Sequence, residues 1–264
     1  MQADDQAKNY TLHYATWHTH DERHQEDMNR FYSSVFSEDL ERAQRWLNKP
    51  AAHIEVLDFG CGMGFFLNHL RSLGFVSVQG FELDAGQAGS ARKYGLNVEQ
   101  SANPLQWLKQ CDKKFDLIFS LDVLEHISPD SLQEFLVAIR SCLSDDGIFI
   151  ATVPNANSTC AGRWRYIDWT HRTSFTEHSL SHVMKLSGLQ VESISPSEIF
   201  RLYTKPQSRL RQASEHLILK VIRSWRRLEL IGEFGWDEGI DIPITTNIKV
   251  RAFKHARAGQ GEKT

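Results

Sequence analysis

The chain has 264 residues, of which 41% are hydrophobic and 24% charged, and this composition is typical of one soluble globular domain with elaborations. The formal net charge of −3 argues against general affinity for nucleic acid. No apolar run reaches the roughly 18 residues of a membrane-spanning helix, and the polar N-terminus is unlike a secretory signal. Four cysteines without a C-x-x-C spacing indicate no disulfide framework, so we expect a reducing, cytoplasmic setting.

Residues 1–50 are predicted to form a helical cap. Apolar side chains recur at helical spacing from Phe31 to Leu47, and Ser37 is a candidate N-cap for the second half because two acidic residues follow it. Upstream, histidines alternate with aromatic residues, which suggests a cover for a ligand or a metal site. No companion carboxylate or cysteine pattern supports metal ligands, so a solvated face is preferred. The histidines are His13, His18, His20 and His24.

A glycine-rich turn interrupts the apolar run of residues 54–59. Gly60, Gly62 and Gly64 form the turn, and apolar residues resume at helical spacing from Phe66. This pattern predicts a buried strand, a tight turn and a helix start. Glycine lets a ligand approach the backbone closely, and the first turn of a helix directs unpaired N–H groups at an anionic group. The turn is therefore predicted to bind a ligand.

Two classes of cofactor compete for this turn. The dinucleotide pattern G-x-G-x-x-G requires a third glycine where Phe65 stands. An acid about 20 residues further on is expected to close the next strand and to bind ribose hydroxyls, and Glu82 occupies that place. The turn with its preceding acid, Asp58-Phe59-Gly60-Cys61-Gly62-Met63-Gly64, resembles motif I of class I S-adenosylmethionine-dependent methyltransferases.

Strand and helix patterns alternate along the rest of the chain. This alternation predicts an α/β fold with a parallel sheet covered on both faces, and a ligand beyond the carboxyl ends of the strands. Asp84 and Thr176 are candidate N-caps. The predicted strands are residues 77–82, 96–99, 115–121, 147–153, 189–194 and 247–254, and the predicted helices are 85–94, 104–111, 132–143 and 177–187.

Residues 115–127, FDLIFSLDVLEHI, resemble the region after strand four in the ubiquinone-methyltransferase-like branch of the same family. The resemblance, which covers about residues 50–155, implies a Rossmann-like, mostly parallel seven-stranded sheet whose last strand is antiparallel at the edge. It also implies that S-adenosylmethionine is bound with its methionine part at the glycine turn, its ribose at Glu82 and its adenine beside Ser101. The cofactor-binding residues that it implies are Asp58, Gly60, Cys61, Gly62, Gly64, Glu82, Leu83, Ser101, Ala102, Leu121 and Asp122.

Methyl transfer is an in-line displacement, and an oxygen acceptor also needs a base to remove its proton. His171 is the first candidate base and His126 the second, because both fall near the expected cofactor. Residues 154–175 form a long predicted lid that either binds the acceptor or only excludes water. The candidate acceptor-binding residues are Asn155, Arg163, Arg165, Tyr166, Trp169 and Arg172.

The expected acceptor is a sugar hydroxyl of a glycan or its precursor. This expectation depends on residues 168–180, which resemble a segment of methyltransferases from surface-glycan and O-antigen gene clusters. A quinone-type or other small aromatic hydroxyl is the alternative acceptor. A non-catalytic cofactor-binding module and an NAD-dependent enzyme are the alternative functions. No pattern requires a metal, although the acids around Asp122 and Glu125 could recruit one.

Residues 196–246 form a predicted insertion between the two parts of the methyltransferase core, 51–195 and 247–256. Within it, residues 201–227 contain eight basic residues and one acid, and apolar residues recur at helical spacing to Leu228. Three interpretations remain: a peripheral membrane helix, a site for an anionic acceptor, or a helix packed on its own domain or on a second copy of the chain.

Overall fold

The computed structural model describes residues 22–198 and 208–255, and the strands of this part form one sheet. The strand order is β3-β2-β1-β4-β5-β7-β6. Neighbouring strands from β3 to β5 are parallel, and β7 is antiparallel to both β5 and β6. The strands are β1 Val56–Phe59, β2 Val78–Glu82, β3 Val98–Gln100, β4 Phe115–Leu121, β5 Leu143–Pro154, β6 Gln190–Ser197 and β7 Asn247–Phe253.

The predicted Rossmann-like α/β fold is confirmed, with one difference in the position of the last strand. β7 is antiparallel as expected, but it lies one place in from the edge. Its residues Ile248, Val250 and Ala252 are fully buried. The more polar β6 is only half buried and forms the edge instead, which suits a strand with one unpaired side.

Helices cover both faces of the sheet, as predicted. The first face is packed by α1, α2 and α3, and the second by α4, α5 and α7, each through buried apolar residues. The helices are α1 Glu22–Leu47, α2 Phe65–Ser72, α3 Ala85–Lys93, α4 Pro104–Gln110, α5 Pro129–Cys142, α6 Ala161–Tyr166, α7 Glu177–Leu186, α8 Arg209–Phe234 and α9 Trp236–Gly239.

Local capping explains where several helices begin. The Asp84 side chain accepts a hydrogen bond from Gln87 N at the start of α3, and Thr176 forms a capping box with Ser179 at the start of α7, as predicted. The predicted cap at Ser37 is wrong. The residues before it are already helical, and its hydroxyl donates to the carbonyl of Ser33 within α1.

The predicted insertion is mainly the long helix α8 followed by the single turn of α9. The first part of the predicted basic stretch, residues 201–207, lies outside the described residues. None of the helices that the structure describes combines the length and the apolar character that crossing a membrane requires.

Candidate active site

The glycine turn joins β1 to α2 at the carboxyl edge of the sheet. Gly60, Gly62 and Gly64 have φ angles of +85°, +54° and +86°, in the left-handed region that favours glycine. A Cβ atom on Gly60 would lie 2.4 Å from Val123 Cγ2, and one on Gly64 would lie 2.3 Å from Leu96 Cδ1. Both the backbone angles and the neighbouring side chains therefore require glycine here.

Glu82, at the end of β2, lies directly against this turn. Its Oε2 accepts a hydrogen bond from Gly62 N at 2.8 Å, and its Oε1 accepts one from Asp84 N at 2.9 Å. A carboxylate oxygen has a second lone pair, so both oxygens can still accept bonds from ribose hydroxyls. The structure thus brings together the two features on which the cofactor prediction depends.

Two buried carboxyl groups give the turn an unusual electrostatic character. Burial, and then the charge of Glu82, raises the pKa of Asp58 to about 8. Burial also raises the pKa of Glu82, against the hydrogen bonds from the backbone of Asp84 and Gly62. A ligand that brings positive charge would favour the ionised forms. The sulfonium and ammonium groups of S-adenosylmethionine fit this requirement.

The other predicted cofactor residues differ in exposure. Cys61 is buried, and burial raises the pKa of its thiol well above the usual value, so the thiol stays neutral. Leu83 and Ala102 are exposed. The hydroxyl of Ser101 is engaged locally, since it accepts a hydrogen bond from Asn103 N at 3.1 Å.

Leu121 ends β4, and Asp122 follows it directly before Val123, the residue that lies against Gly60. Asp122 has a φ of +55°, which is uncommon for a residue with a side chain. Its Oδ1 accepts hydrogen bonds from Thr152 Oγ1 at 3.1 Å and from Asn247 Nδ2 at 2.6 Å. These two bonds, from β5 and β7, fix the carboxylate at the edge of the site.

His126 and His171 meet next to this edge, with ring centroids 4.7 Å apart in an edge-to-face arrangement. His171 Nδ1 lies 2.8 Å from the carbonyl oxygen of Trp164. A carbonyl can only accept, so in the neutral ring the proton is on Nδ1 and the lone pair is on Nε2. His171 therefore has the tautomer that a general base requires.

His126 is oriented by a chain of polar groups. Its Nδ1 lies 2.8 Å from Thr170 Oγ1, and that hydroxyl donates to Asp168 Oδ1 at 2.7 Å. Burial, and then the charge of His171, lowers the pKa of His126 to about 4. At neutral pH His126 is therefore uncharged and a weaker base than an ordinary histidine.

Glu125 completes the histidine cluster. Burial, and then the charge of Asp122, raises its pKa well above the usual value. Its Oε2 has no hydrogen-bond partner among the described residues, while its backbone carbonyl accepts from Arg172 N at 2.6 Å and Thr173 N at 3.2 Å. The last two bonds tie the lid to the segment after β4.

Glu125, His126 and His171 are also a group that could hold a metal ion. Each offers one ligand atom, and these atoms lie within 4.8 Å of one another. For this part of the chain the sequence suggested only acids around Asp122 and Glu125 as metal ligands, whereas the structure groups Glu125 with the two histidines. Imidazole and carboxylate ligands suit a transition metal better than magnesium.

The predicted acceptor residues divide into two groups. Asn155 is buried and its amide donates to the carbonyls of Pro243 and Thr245, so it is unsuited to contact an acceptor. Arg165 is also engaged, because it donates to the carbonyls of His171 and Arg172 and holds the lid in place. The remaining candidates, Arg163, Tyr166, Trp169 and Arg172, are exposed on the lid.

The histidine-rich segment near the N-terminus can be followed only in part. His13, His18 and His20 lie outside the described residues. His24 is buried and packs edge-to-face on Phe65, with ring centroids 5.0 Å apart. The solvated-face interpretation is therefore wrong for His24, which packs α1 against the first residue of α2.

Sequence reasoning missed several residues that position the site. Thr152 and Asn247 hold Asp122, and Trp164 and Thr170 orient the two histidines. Trp164 and Thr170 stand in the predicted lid close to His171, so their place in the lid could have indicated a role in positioning the site. Asn247 is 125 positions from Asp122, and no local pattern connects them.

Together, the parallel sheet, the glycine turn and the acid at the end of β2 define a Rossmann-like S-adenosylmethionine-dependent methyltransferase fold. The model of a methyltransferase domain family matches residues 24–194. The chain belongs to this family, and the predicted class is confirmed.

Individual relatives agree with this assignment. The chain is 30% identical over 110 residues to a ubiquinone biosynthesis O-methyltransferase of Chelativorans sp. (strain BNC1), which covers 40% of this chain and 42% of that protein. A SAM-dependent methyltransferase from Archaeoglobus fulgidus superposes with a TM-score of 0.55 at 19% identity, over 84% of this chain and 97% of that one.

A second solved structure contains a bound cofactor product. Magnesium protoporphyrin IX methyltransferase from Synechocystis PCC 6803, solved with bound SAH, superposes with a TM-score of 0.50 at 14% identity, over 83% of each chain. The curated relatives are matched over about half of their length. The similarity therefore establishes the class, and the acceptor must be argued from the site.

Proposed function

We propose that this protein methylates a hydroxyl group, with His171 as the general base that accepts the hydroxyl proton. The observation that carries the proposal is the 2.8 Å contact between His171 Nδ1 and the carbonyl of Trp164, which leaves Nε2 with the lone pair. S-adenosylmethionine supplies an activated methyl group when it is bound. The chain's own residues then have to hold that cofactor, place the acceptor and take up its proton.

The contacts of the site support this division of work. Glu82 and the glycine turn would hold the ribose and the methionine part. Val123 lies against Gly60, so the segment that carries His126 adjoins the turn. Arg172 and Thr173 of the lid donate to the backbone carbonyl of Glu125, so His171 lies beside the segment that carries His126. A base beside the cofactor turn is the arrangement that proton removal during methyl transfer needs.

The acceptor that we propose is a sugar hydroxyl in a glycan or glycan precursor. Two aromatic side chains project from the lid, since Tyr166 is 79% and Trp169 is 95% exposed. The exposed Arg163 and Arg172 accompany them. Aromatic faces can stack on sugar rings, while guanidinium groups can bind hydroxyls or a phosphate of a nucleotide sugar.

A small aromatic hydroxyl of the quinone type is the second candidate. It is favoured by the name of the relatives, which are ubiquinone biosynthesis O-methyltransferases. The exposed aromatic residues of the lid would serve a flat ring as well as a sugar. A panel of acceptors is therefore needed to separate the two.

The experiment is a mass-spectrometric assay of methyl transfer from S-adenosylmethionine to nucleotide sugars, glycan oligomers and dihydroxylated aromatic compounds. We expect a methylated sugar, and we expect Trp169→Ala to raise KM for it about tenfold or more. Leu186→Ala, a change at an exposed residue of α7, is the matched control. Methylation of the aromatic compounds alone would transfer the proposal to the second candidate. Cofactor binding without transfer to any hydroxyl would refute catalysis on hydroxyls.

A further inference from the structure

The outward side of α8 carries large apolar side chains that no described part of the chain covers. They lie within an arc of about 140°, given a rotation of 100° per residue. The inward side of α8 is packed, because Leu230 is buried and a Cβ atom on Gly239 of α9 would lie 2.6 Å from Ile231 Cα. The α8 apolar face consists of Leu210, Leu217, Ile218, Val221, Ile222, Trp225 and Leu228, which are 43–82% exposed.

The size of this face is that of a protein interface. Seven side chains of this kind expose on the order of 100 Å² each, or about 700 Å² together. The largest apolar patch of an ordinary monomer is about 300–600 Å². A standard interface buries about 800 Å² on each partner. One copy of the α8 apolar face therefore supplies most of one side of a stable interface.

The charges around the face argue against an anionic lipid surface. The basic residues of α8 are largely paired within the chain. Arg227 donates to the backbone carbonyls of Gly239 and Ile242. The ion pairs are Arg211 with Glu215 at 3.1 Å, Arg223 with Glu198 at 2.6 Å and Arg226 with Glu229 at 2.6 Å. Among the side chains of α8 that the structure describes, little free positive charge remains beside the apolar face, whereas a membrane-surface helix exposes such charge.

We propose that the α8 apolar face pairs with the same face of a second copy of this chain, the two helices running antiparallel about a two-fold axis at Val221. In this register, a residue that precedes Val221 by a given number of positions on one helix faces the residue that follows Val221 by the same number on the other. Large side chains then lie opposite small ones or opposite the aromatic ring. Leu217 faces Trp225, Leu210 faces Gly232, and Leu228 faces Ser214.

The same register brings opposite charges together. Arg211, Glu229 and Glu233 lie on one flank of α8, at opposite ends of the face. A two-fold axis keeps equivalent flanks on the same side, so Arg211 of one copy lies between Glu229 and Glu233 of the other. A parallel pair would instead leave Arg211 of either copy about 27 Å along the helix axis from Glu229 of the other, so the opposite charges would not meet. The charges therefore favour the antiparallel arrangement.

The first test is the mass of the full-length protein by sedimentation equilibrium. We expect a dimer, and we expect Trp225→Glu to weaken its association at least about 30-fold, since buried aromatic residues dominate interface energies. Trp225→Glu and the control variant Val76→Glu should both keep the melting temperature of the monomer fold, because residues 225 and 76 are exposed. Val76→Glu, which places the same charge at a 73% exposed valine in the loop before β2, is the control.

The second test is charge exchange. Arg211→Glu should weaken the dimer about tenfold, and adding Glu229→Arg with Glu233→Arg should restore it. A protein that is monomeric at 100 µM overturns the proposal, as does a dimer that Trp225→Glu leaves intact. Binding to vesicles with 30% anionic lipid by a monomeric protein would overturn it in favour of a membrane surface.

Discussion

Glu82 Oε2 accepts a hydrogen bond from the backbone N–H of Gly62, with 2.8 Å between the two atoms. The bond links the ends of two neighbouring parallel strands at the carboxyl edge of the sheet. A carboxylate on the opposite side of the sheet would have refuted the cofactor prediction. The carboxylate of Glu82 lies against the glycine turn instead, so its role in binding the cofactor can be tested directly.

Glu82→Gln should weaken binding of S-adenosylmethionine by about tenfold or more. The amide oxygen can still accept from Gly62 N, but the amide nitrogen cannot accept from Asp84 N, so the variant also loses one of the two backbone hydrogen bonds. The charge that strengthens bonds to ribose hydroxyls is lost, and charge-assisted bonds are roughly twice as strong as neutral ones. Isothermal titration measures the change, with Glu134→Gln on α5 as the control. Equal affinity in both variants would contradict ribose binding by Glu82.

Asp58→Asn should stabilise the unliganded protein at neutral and alkaline pH. The pKa of Asp58 is about 8 in the folded protein and 3.8 in a model peptide, so the folded state binds more protons between these values. Its contribution to stability is complete below pH 3.8 and is lost as the pH rises through 8. The loss approaches about 1.4 kcal/mol per pH unit.

Melting temperatures from pH 5 to 9 measure this effect. The advantage of Asp58→Asn over the natural protein should grow with pH and then level off above about pH 8. A constant difference across the range would show that Asp58 has an ordinary pKa.

His171→Ala should lower turnover about 100-fold or more with hydroxyl acceptors, because the proton acceptor is lost. Affinity for S-adenosylmethionine should change little, since His171 belongs to the lid and not to the glycine turn. The measurement is kcat beside the dissociation constant of the cofactor. His178→Ala, at an exposed position of α7, is the control. Unchanged turnover would assign proton removal to His126 or to water.

Activity should persist in EDTA. Burial and the charge of Asp122 raise the pKa of Glu125, which disfavours the carboxylate form that a metal ligand needs. The assay compares turnover before and after dialysis against EDTA. A loss of activity that zinc or manganese restores would contradict the prediction and assign Glu125, His126 and His171 to a metal.

The sequence predicted the features that depend on local order. The run from Asp58 to Gly64 and the spacing to Glu82 predicted the cofactor turn, because both are properties of one βαβ unit. The hydrogen bond between Asn247 and Asp122 could not be predicted, since it forms only when β7 inserts beside β5. The burial of Asn155 could not be predicted, because a polar residue in a lid usually faces solvent, whereas here its amide donates to two carbonyls of the loop before β7.

The contact between Gly60 and Val123 has a consequence for engineering this protein. A side chain at position 60 would displace the stretch that leads to Glu125 and His126, and through their backbone bonds the lid as well. A substitution in the glycine turn would thus also disturb the histidine cluster and the lid. Variants selected for a different acceptor should accordingly leave this glycine untouched and vary the outer rim instead.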